Sequence, residues 1–104
     1  MSTERPTLPD GLVVIVKEEC ETCRMTVPVV ARLADEFGAT VYTQDDPAFP
    51  PGVAAIHDAD LAVSWHYEIE TVPTLLKIVD GVEVERTFGW VQAEWSRLTG
   101  IEGL

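Results

Sequence analysis

The two cysteines of this 104-residue chain lie three positions apart, as Cys20-Glu21-Thr22-Cys23. They follow an apolar run over residues 12–16 and begin a stretch with helical periodicity. Two thiols at this spacing, at the start of a helix, are suited to reversible disulfide chemistry. The unpaired N–H groups and dipole of a helix start favour an anion, so we expect Cys20 to be the accessible thiolate. Cys23, about one turn further on, is expected to be shielded.

Charged residues beside the first cysteine act in opposite directions. Three acids oppose a thiolate and two basic residues favour it, because like charges repel and unlike charges attract. These residues are Glu18, Glu19 and Glu21 against Lys17 and Arg24. The sequence alone does not give the sign of their sum.

Two other interpretations of the cysteine pair need comparison. A structural zinc site requires four ligands, and the chain offers the two cysteines with His57 and His66, which lie far from them in sequence. A buried, inert thiol pair is the other alternative, because free cysteines are often core residues. We favour redox chemistry, with no metal and no cofactor.

Composition limits the class of partner. The chain carries 18 acidic and 7 basic residues, a net charge of −11 that would repel nucleic acid phosphates. The ordinary interpretation of this charge is solubility, and a preference for basic partner surfaces is the alternative. No apolar stretch approaches the roughly 18 residues of a membrane helix, and no apolar secretory segment begins the chain. We therefore expect a cytoplasmic protein that does not bind membranes.

The pattern of apolar residues predicts an α/β domain over residues 12–104, preceded by an N-terminal arm over residues 1–11. Pro28 is expected to kink the first helix, and Asp80-Gly81 to form a hairpin turn. Strands are predicted over residues 12–17, 40–44, 74–79 and 82–88, helices over residues 21–37, 58–67 and 90–98, and a loop over residues 45–57. This order predicts a mixed four-stranded sheet with helices on both faces.

Several motifs occur in a fixed order from Leu12 to about Leu98. They are the strand before Cys20-x-x-Cys23, Arg24-Met25-x-x-Pro28, Leu33-Ala34-Asp35-Glu36-Phe37, Tyr67-Glu68-Ile69, Val72-Pro73-Thr74, the Asp80-Gly81 hairpin and Gly89. In this combination the chain resembles the thioredoxin family.

The resemblance implies a thiol-disulfide oxidoreductase that reduces protein disulfides and is recharged by a thiol or a flavoprotein reductase. It implies that Cys20 is the nucleophile and Cys23 the resolving thiol. It also implies a cis Val72–Pro73 bond and pairing of the Val72 backbone with a substrate strand. The implied substrate contacts are Glu21, Thr22, Val72, Pro73 and Gly89.

The chain also departs from the thioredoxin pattern. Glu19 stands where thioredoxins usually have Trp, Glu21-Thr22 replaces Gly-Pro, and Val14 replaces a buried Asp that accepts a proton from the resolving thiol. Gly89-Trp90-Val91-Gln92 lacks the glutathione-binding pattern of glutaredoxins. Glutathione binding is therefore not implied, and Val14 and the acidic Glu21 favour an alternative function, a non-catalytic binding or redox-sensing module with the same fold.

The N-terminal strand and helix of thioredoxins are expected to be missing, because eleven residues with two prolines cannot form them. Residues 40–44 would then lie on an open sheet edge, free to pair with another chain. We expect Thr7-Leu8 of the arm to cover this edge, or a second copy to pair there. The expected oligomeric state is a monomer or weak dimer.

Overall fold

A computed structural model describes residues 5–104, so the first four residues of the predicted arm lie outside the described part. The described residues form a five-stranded mixed sheet with the order β3-β2-β1-β4-β5. The strands are β1 (Gly11–Val16), β2 (Thr40–Thr43), β3 (Ile56–His57), β4 (Thr74–Val79) and β5 (Val82–Phe88). The helices are α1 (Glu21–Met25), α2 (Val27–Phe37), α3 (Ala62–His66) and α4 (Gln92–Thr99), and a 3₁₀ turn (Ala59–Leu61) precedes α3.

The central strand β1 is buried on both faces, as its uninterrupted apolar sequence predicts. It pairs in parallel with β2 and antiparallel with β4. Val14 and Val16 pack on the face covered by α2 and α4, and Val13 and Ile15 pack on the opposite face. The sheet therefore separates two apolar clusters, and the cysteines follow directly from its most buried strand.

The N-terminal arm packs against a face of the sheet. Leu8 is only 1% exposed and lies in the cluster formed by Val13, Ile15 and the α3 residue Val63. The Tyr67 hydroxyl donates a hydrogen bond to the Pro6 carbonyl at 2.7 Å. Leu8 is therefore part of the core, and the expectation that Thr7-Leu8 covers the β2 edge is wrong.

A strand that the sequence analysis missed covers that edge. Ile56 and His57, predicted to lie in a loop, form β3 and pair in parallel with Tyr42 and Thr43 of β2. The sheet thus has five strands instead of four, and β2 is an interior strand. A two-residue strand with exposed side chains has no period-2 burial pattern, so the sequence carries no signal for it.

The predicted first helix is divided in two at Thr26, whose backbone (φ −92°, ψ 5°) is outside the helical region. Pro28 lies in the first turn of α2, where a missing N–H costs little, and its ring excludes a continuous helix through Arg24. The Thr26 hydroxyl donates to the carbonyls of Thr22 and Cys23, at 3.0 and 3.1 Å, and so satisfies acceptors at the end of α1.

The predicted hairpin of β4 and β5 and the final helix are confirmed, with α4 displaced by one or two residues. The predicted helix over residues 58–67 is shorter and begins with a 3₁₀ turn. Asp58 is buried and accepts hydrogen bonds from the N–H groups of Val63 and Ser64, at 2.8 and 2.9 Å. This carboxylate anchors the start of α3 and the end of the long loop after β2.

Leu8→Ala tests whether the arm belongs to the core. Removing a fully buried leucine side chain should lower the free energy of unfolding by about 2–4 kcal/mol, because contacts are lost and a cavity remains. The exposed neighbour Thr7 supplies the control, since Thr7→Ala should change stability by less than about 0.5 kcal/mol. Equal effects of the two substitutions in urea unfolding would show that the arm does not pack as described.

Candidate functional site

Cys20 occupies the N-cap of α1, with the extended backbone (φ −102°, ψ 118°) that such a position requires. Its Sγ accepts a hydrogen bond from the Cys23 N–H at 3.2 Å and donates one to the Val72 carbonyl at 3.5 Å. The side chain is partly exposed. Cys20 thus performs the role that Ser, Thr or Asp usually has at a helix start, with a sulfur that solvent can reach.

The helix that follows Cys20 is shorter than the sequence analysis assumed. Since α1 has only five residues before the break at Thr26, the dipole argument for a Cys20 thiolate is weaker than predicted. What the structure provides is a direct hydrogen bond from the Cys23 N–H to Cys20 Sγ.

Cys23 is fully buried and lies in the apolar cluster that contains Val14, Val16 and Val30. Its Sγ accepts a hydrogen bond from the Lys17 N–H at 3.4 Å. Burial raises the pKa of Cys23 to about 12, and the hydrogen bond and charge of Cys20 and the charge of Asp45 act in the same direction. The Lys17 N–H opposes them. Cys23 is therefore a protonated thiol near neutral pH.

Asp45 lies beside the turn that leads from β1 to Cys20. Its carboxylate accepts hydrogen bonds from the N–H groups of Glu18 at 2.8 Å and Glu19 at 3.1 Å, and from its neighbour Asp46 at 2.7 Å. Burial acts to raise the pKa of Asp45, but these N–H donors outweigh it and hold the pKa below its ordinary value.

The sequence analysis did not select Asp45, although strand order offers a signal for it. Strands β1 and β2 are parallel and in register, with Val16 opposite Thr43, so residues two positions beyond each strand meet at one sheet edge. An acid directly after a strand that neighbours the cysteine strand is therefore a candidate for the site.

The loop before β4 forms the other side of the site. The Val72–Pro73 peptide bond is cis, as is Phe49–Pro50. The Pro73 carbonyl accepts a hydrogen bond from the Gly89 N–H at 2.8 Å, and the Gly89 carbonyl accepts one from the Trp95 indole at 2.9 Å. Gly89 (φ 64°) therefore connects the proline loop to α4 with a backbone conformation that favours glycine.

The structure brings together most of the residues selected from sequence. Cys20 is hydrogen-bonded to both Cys23 and Val72. Pro73 is the next residue after Val72, and its carbonyl binds the Gly89 N–H. Glu21 and Thr22 lie between the cysteines, Glu21 exposed and Thr22 half-buried.

Metal binding finds no support in the arrangement of the described residues. Across residues 5–104, no three His, Cys, Asp or Glu side chains lie close enough together to hold a metal ion. Cys20, Cys23, His57 and His66, the ligands considered for zinc, form no such group. Within the same range, no helix has the length and apolar character needed to cross a membrane.

Comparison with solved structures identifies the fold. No protein-family model and no curated protein matches the chain. Among solved structures, the chain is similar to the thioredoxin of Fasciola hepatica, with 24% identity, a TM-score of 0.63 and coverage of 88% of this chain and 81% of that chain. The chain has the thioredoxin fold.

Two further structures agree with this assignment. A mutant thioredoxin from Halobacterium salinarum is 26% identical, with a TM-score of 0.57 and coverage of 86% of this chain and 73% of that one. Thioredoxin 1 from Thermosipho africanus is 15% identical, with a TM-score of 0.57 and coverage of 85% and 86%. In this fold, β3 pairs with β2 along the edge that the sequence analysis expected to be open.

The difference between the two thiols predicts selective alkylation. At pH 7.5 iodoacetamide should modify Cys20 and leave Cys23 unmodified in the folded, reduced protein, because Cys23 is buried and its pKa is raised to about 12. Raising the pH through 9 should not release Cys23, whereas unfolding in urea should. Peptide mass spectrometry assigns the modified residue, and preferential modification of Cys23 would contradict the described geometry.

Proposed function

We propose that this protein is a thiol-disulfide oxidoreductase that reduces disulfide bonds in other proteins. The observation that carries the proposal is the pairing of a partly exposed Cys20 Sγ with a fully buried Cys23, joined by the 3.2 Å hydrogen bond from the Cys23 N–H. One thiol can reach a partner, and the other is protected from everything except Cys20. The thioredoxin fold, shared with the thioredoxins of Fasciola hepatica and Halobacterium salinarum, supports the same class of reaction.

The reaction consists of two exchange steps. The Cys20 thiolate attacks one sulfur of the partner disulfide, forms a mixed disulfide, and releases the other partner sulfur as a thiolate. Cys23 then loses its proton and attacks Cys20 Sγ, which forms the Cys20–Cys23 disulfide and releases the second partner thiolate. The two protons given up by the cysteines balance the two taken up by the partner, and two electrons pass to the partner.

The surroundings of Cys23 order these steps. With a pKa of about 12, Cys23 is almost entirely protonated at neutral pH and does not compete for the partner disulfide. Mixed disulfide formation removes the charge of Cys20 and makes its sulfur a weaker acceptor for the Cys23 S–H, and both of these features of Cys20 add to the effect of burial on the raised pKa. The resolving thiol becomes a better nucleophile once the first step is complete.

Substrate binding is assigned to the backbone beside Cys20. An extended partner segment pairs with the main chain at Val72, since this half-buried residue already contacts the Cys20 sulfur through its carbonyl. Glu21, Thr22, Pro73 and Gly89 flank the segment. Recognition through main chain gives breadth, and a thiol or a flavoprotein reductase in the cytoplasm returns the protein to its dithiol form. No cofactor is required, and we expect a monomer or weak dimer.

A second candidate function is a binding or redox-sensing module without turnover. The observation that favours it is the apolar environment beneath the cysteines, where Val14 is fully buried between Val41 and Leu75. With no acid in that strand, the resolving step has no proton acceptor there. Repeated turnover of a protein disulfide by catalytic amounts of this protein with excess dithiothreitol, above the rate with dithiothreitol alone, supports the enzyme. A single stoichiometric oxidation supports the sensor.

Trapping of a partner tests the assigned roles. Cys23→Ser should accumulate a mixed disulfide through Cys20, because the second exchange step is removed. The matched variant Cys20→Ser should accumulate none, since its remaining thiol is buried. Non-reducing electrophoresis after incubation with insulin, whose disulfide bonds are intact, measures the adduct. An adduct formed only by Cys20→Ser would reverse the two roles.

Charge around Cys20 predicts a preference for basic substrates. Glu19 and Glu21 are exposed and make no ion pair with any residue in 5–104. At low salt, a disulfide peptide flanked by lysines should react about tenfold faster than the same peptide flanked by glutamates, through electrostatic steering. Glu19→Lys with Glu21→Lys should abolish this preference, and 0.5 M salt should weaken it.

The control for this experiment keeps the net charge change and moves it away from the site. Asp35 lies about 12 Å along α2 from its first residue, and Glu102 immediately precedes Gly103, whose carbonyl accepts a hydrogen bond from Arg32 of the same helix. Asp35→Lys with Glu102→Lys should leave most of the preference intact. Equal rates for both peptides with the unmodified protein would contradict the predicted preference for basic substrates, but they would not contradict the oxidoreductase proposal.

A further inference from the structure

The turn between β1 and Cys20 presents three consecutive N–H groups to two acceptors. The Lys17 N–H donates to Cys23 Sγ at 3.4 Å, and the next two, of Glu18 and Glu19, donate to the Asp45 carboxylate at 2.8 and 3.1 Å. The resolving thiol and this carboxylate are therefore bound by neighbouring amides of one short segment. The segment ends with the Cys20 N–H, which donates to the Lys17 carbonyl at 3.2 Å.

Asp45 itself is held by the end of β2. The Gln44 N–H donates to the Val16 carbonyl at 2.9 Å, which continues the β1–β2 pairing up to the residue before Asp45. The Thr43 hydroxyl donates to the Asp46 carbonyl at 3.0 Å. The carboxylate is thus attached to the sheet at one end and to the turn before Cys20 at the other.

We propose that Asp45 is a positioning residue for the thiol pair: its carboxylate fixes the turn of residues 17–19 and so holds Cys20 at the distance and angle from which it forms a disulfide with Cys23. This inference adds a residue to the site of the proposed function and rests on that function for its biological meaning. The mechanism is preorganisation, in which reacting groups held in place react as if at a high effective concentration.

In the dithiol form, Asp45 is a poor proton acceptor for Cys23. The carboxyl pKa lies below its ordinary value of 3.8, whereas the Cys23 pKa is about 12. Direct proton transfer from that thiol to that carboxylate is strongly unfavourable in the dithiol form. The role proposed for Asp45 is therefore positioning, distinct from that of the acid that the sequence analysis found missing at Val14.

Because Cys23 stays protonated at pH 7, an experiment at this pH distinguishes the positioning effect of Asp45 from the effect of its charge on Cys23. Asp45, together with Cys20, raises the Cys23 pKa, and the Lys17 N–H lowers it. At pH 7 the Cys23 thiol remains protonated whether or not Asp45 is charged, so the charge acting on Cys23 does not alter the dithiol–disulfide equilibrium. Loosening of the turn does alter it.

The test is the equilibrium of the full-length protein with glutathione at pH 7. The balanced reaction converts the Cys20 and Cys23 thiols and one oxidised glutathione into the protein disulfide and two reduced glutathiones. Asp45→Asn supplies one acceptor oxygen where the carboxylate supplies two, so one N–H of the turn loses its partner. We expect the equilibrium constant for disulfide formation to fall by about threefold to thirtyfold. Asp45→Ala, which removes both oxygens, should lower it further.

Asp46→Asn is the matched control, because among residues 5–104 this neighbouring carboxylate accepts a hydrogen bond only from the Ala48 N–H, at 2.9 Å, and Asn retains an acceptor there. It should leave the equilibrium constant within about 1.5-fold of the unmodified protein. Acid-quenched alkylation followed by mass spectrometry measures the ratio of dithiol to disulfide. An unchanged constant in Asp45→Asn, or an equal change in Asp46→Asn, overturns the proposal.

A second measurement uses the unmodified protein and so survives a variant that fails to fold. In the reduced protein, the amide protons of Glu18 and Glu19 should exchange with solvent at least about tenfold more slowly than the same residues in an unstructured peptide, because both are bound to Asp45. Unprotected exchange at both amides overturns the proposal. Failure to reduce protein disulfides would instead overturn the proposed function, since neither measurement requires a protein substrate.

Discussion

The site depends on one constraint, the need to find acceptors for the N–H groups of the turn that follows β1. The strand ends in the apolar core, where the Lys17 N–H meets the buried Cys23 sulfur, and the next two N–H groups lie toward the surface, in the half-buried Glu18 and the exposed Glu19. Together these N–H groups find two acceptors, the sulfur of Cys23 and the carboxylate of Asp45. These hydrogen bonds hold the turn against the sheet. Cys20 follows the turn at the N-cap of α1, where its sulfur accepts a hydrogen bond from the Cys23 N–H.

Burial and exposure then divide the chemistry between two identical side chains. Cys23 continues the apolar cluster beneath β1, which makes ionisation costly and keeps the thiol available for an internal partner. Cys20 lies one turn earlier, at the surface and against the Val72 carbonyl. The loop that carries Val72 is in turn connected, through hydrogen bonds of Pro73 and Gly89, to the indole of Trp95, a buried residue of α4. Each sulfur thus contacts a backbone group that is itself part of a hydrogen-bonded segment, Lys17 for Cys23 and Val72 for Cys20.

The sequence could predict the parts of this arrangement that come from local chemistry. The unbroken apolar run of β1, the Asp80-Gly81 turn and the effect of Pro28 each have one physical interpretation, and each corresponds to the structure. The sequence could not predict β3, because a two-residue strand is defined by its partner and has no periodicity of its own. Nor could the local pattern place Leu8, whose burial depends on the distant Val63 and Tyr67. Asp45 was missed for the same reason, since its importance comes from the strand next to it.

The central claim is that Cys20 and Cys23 form one two-electron couple. The most direct test is the intact mass of the unmodified protein after equilibration in oxidised and reduced glutathione over a range of ratios. The account predicts a single reversible transition between the dithiol and a species lighter by two hydrogen atoms, with both thiols lost together. A stable glutathione adduct at Cys20, with Cys23 still free, would contradict it.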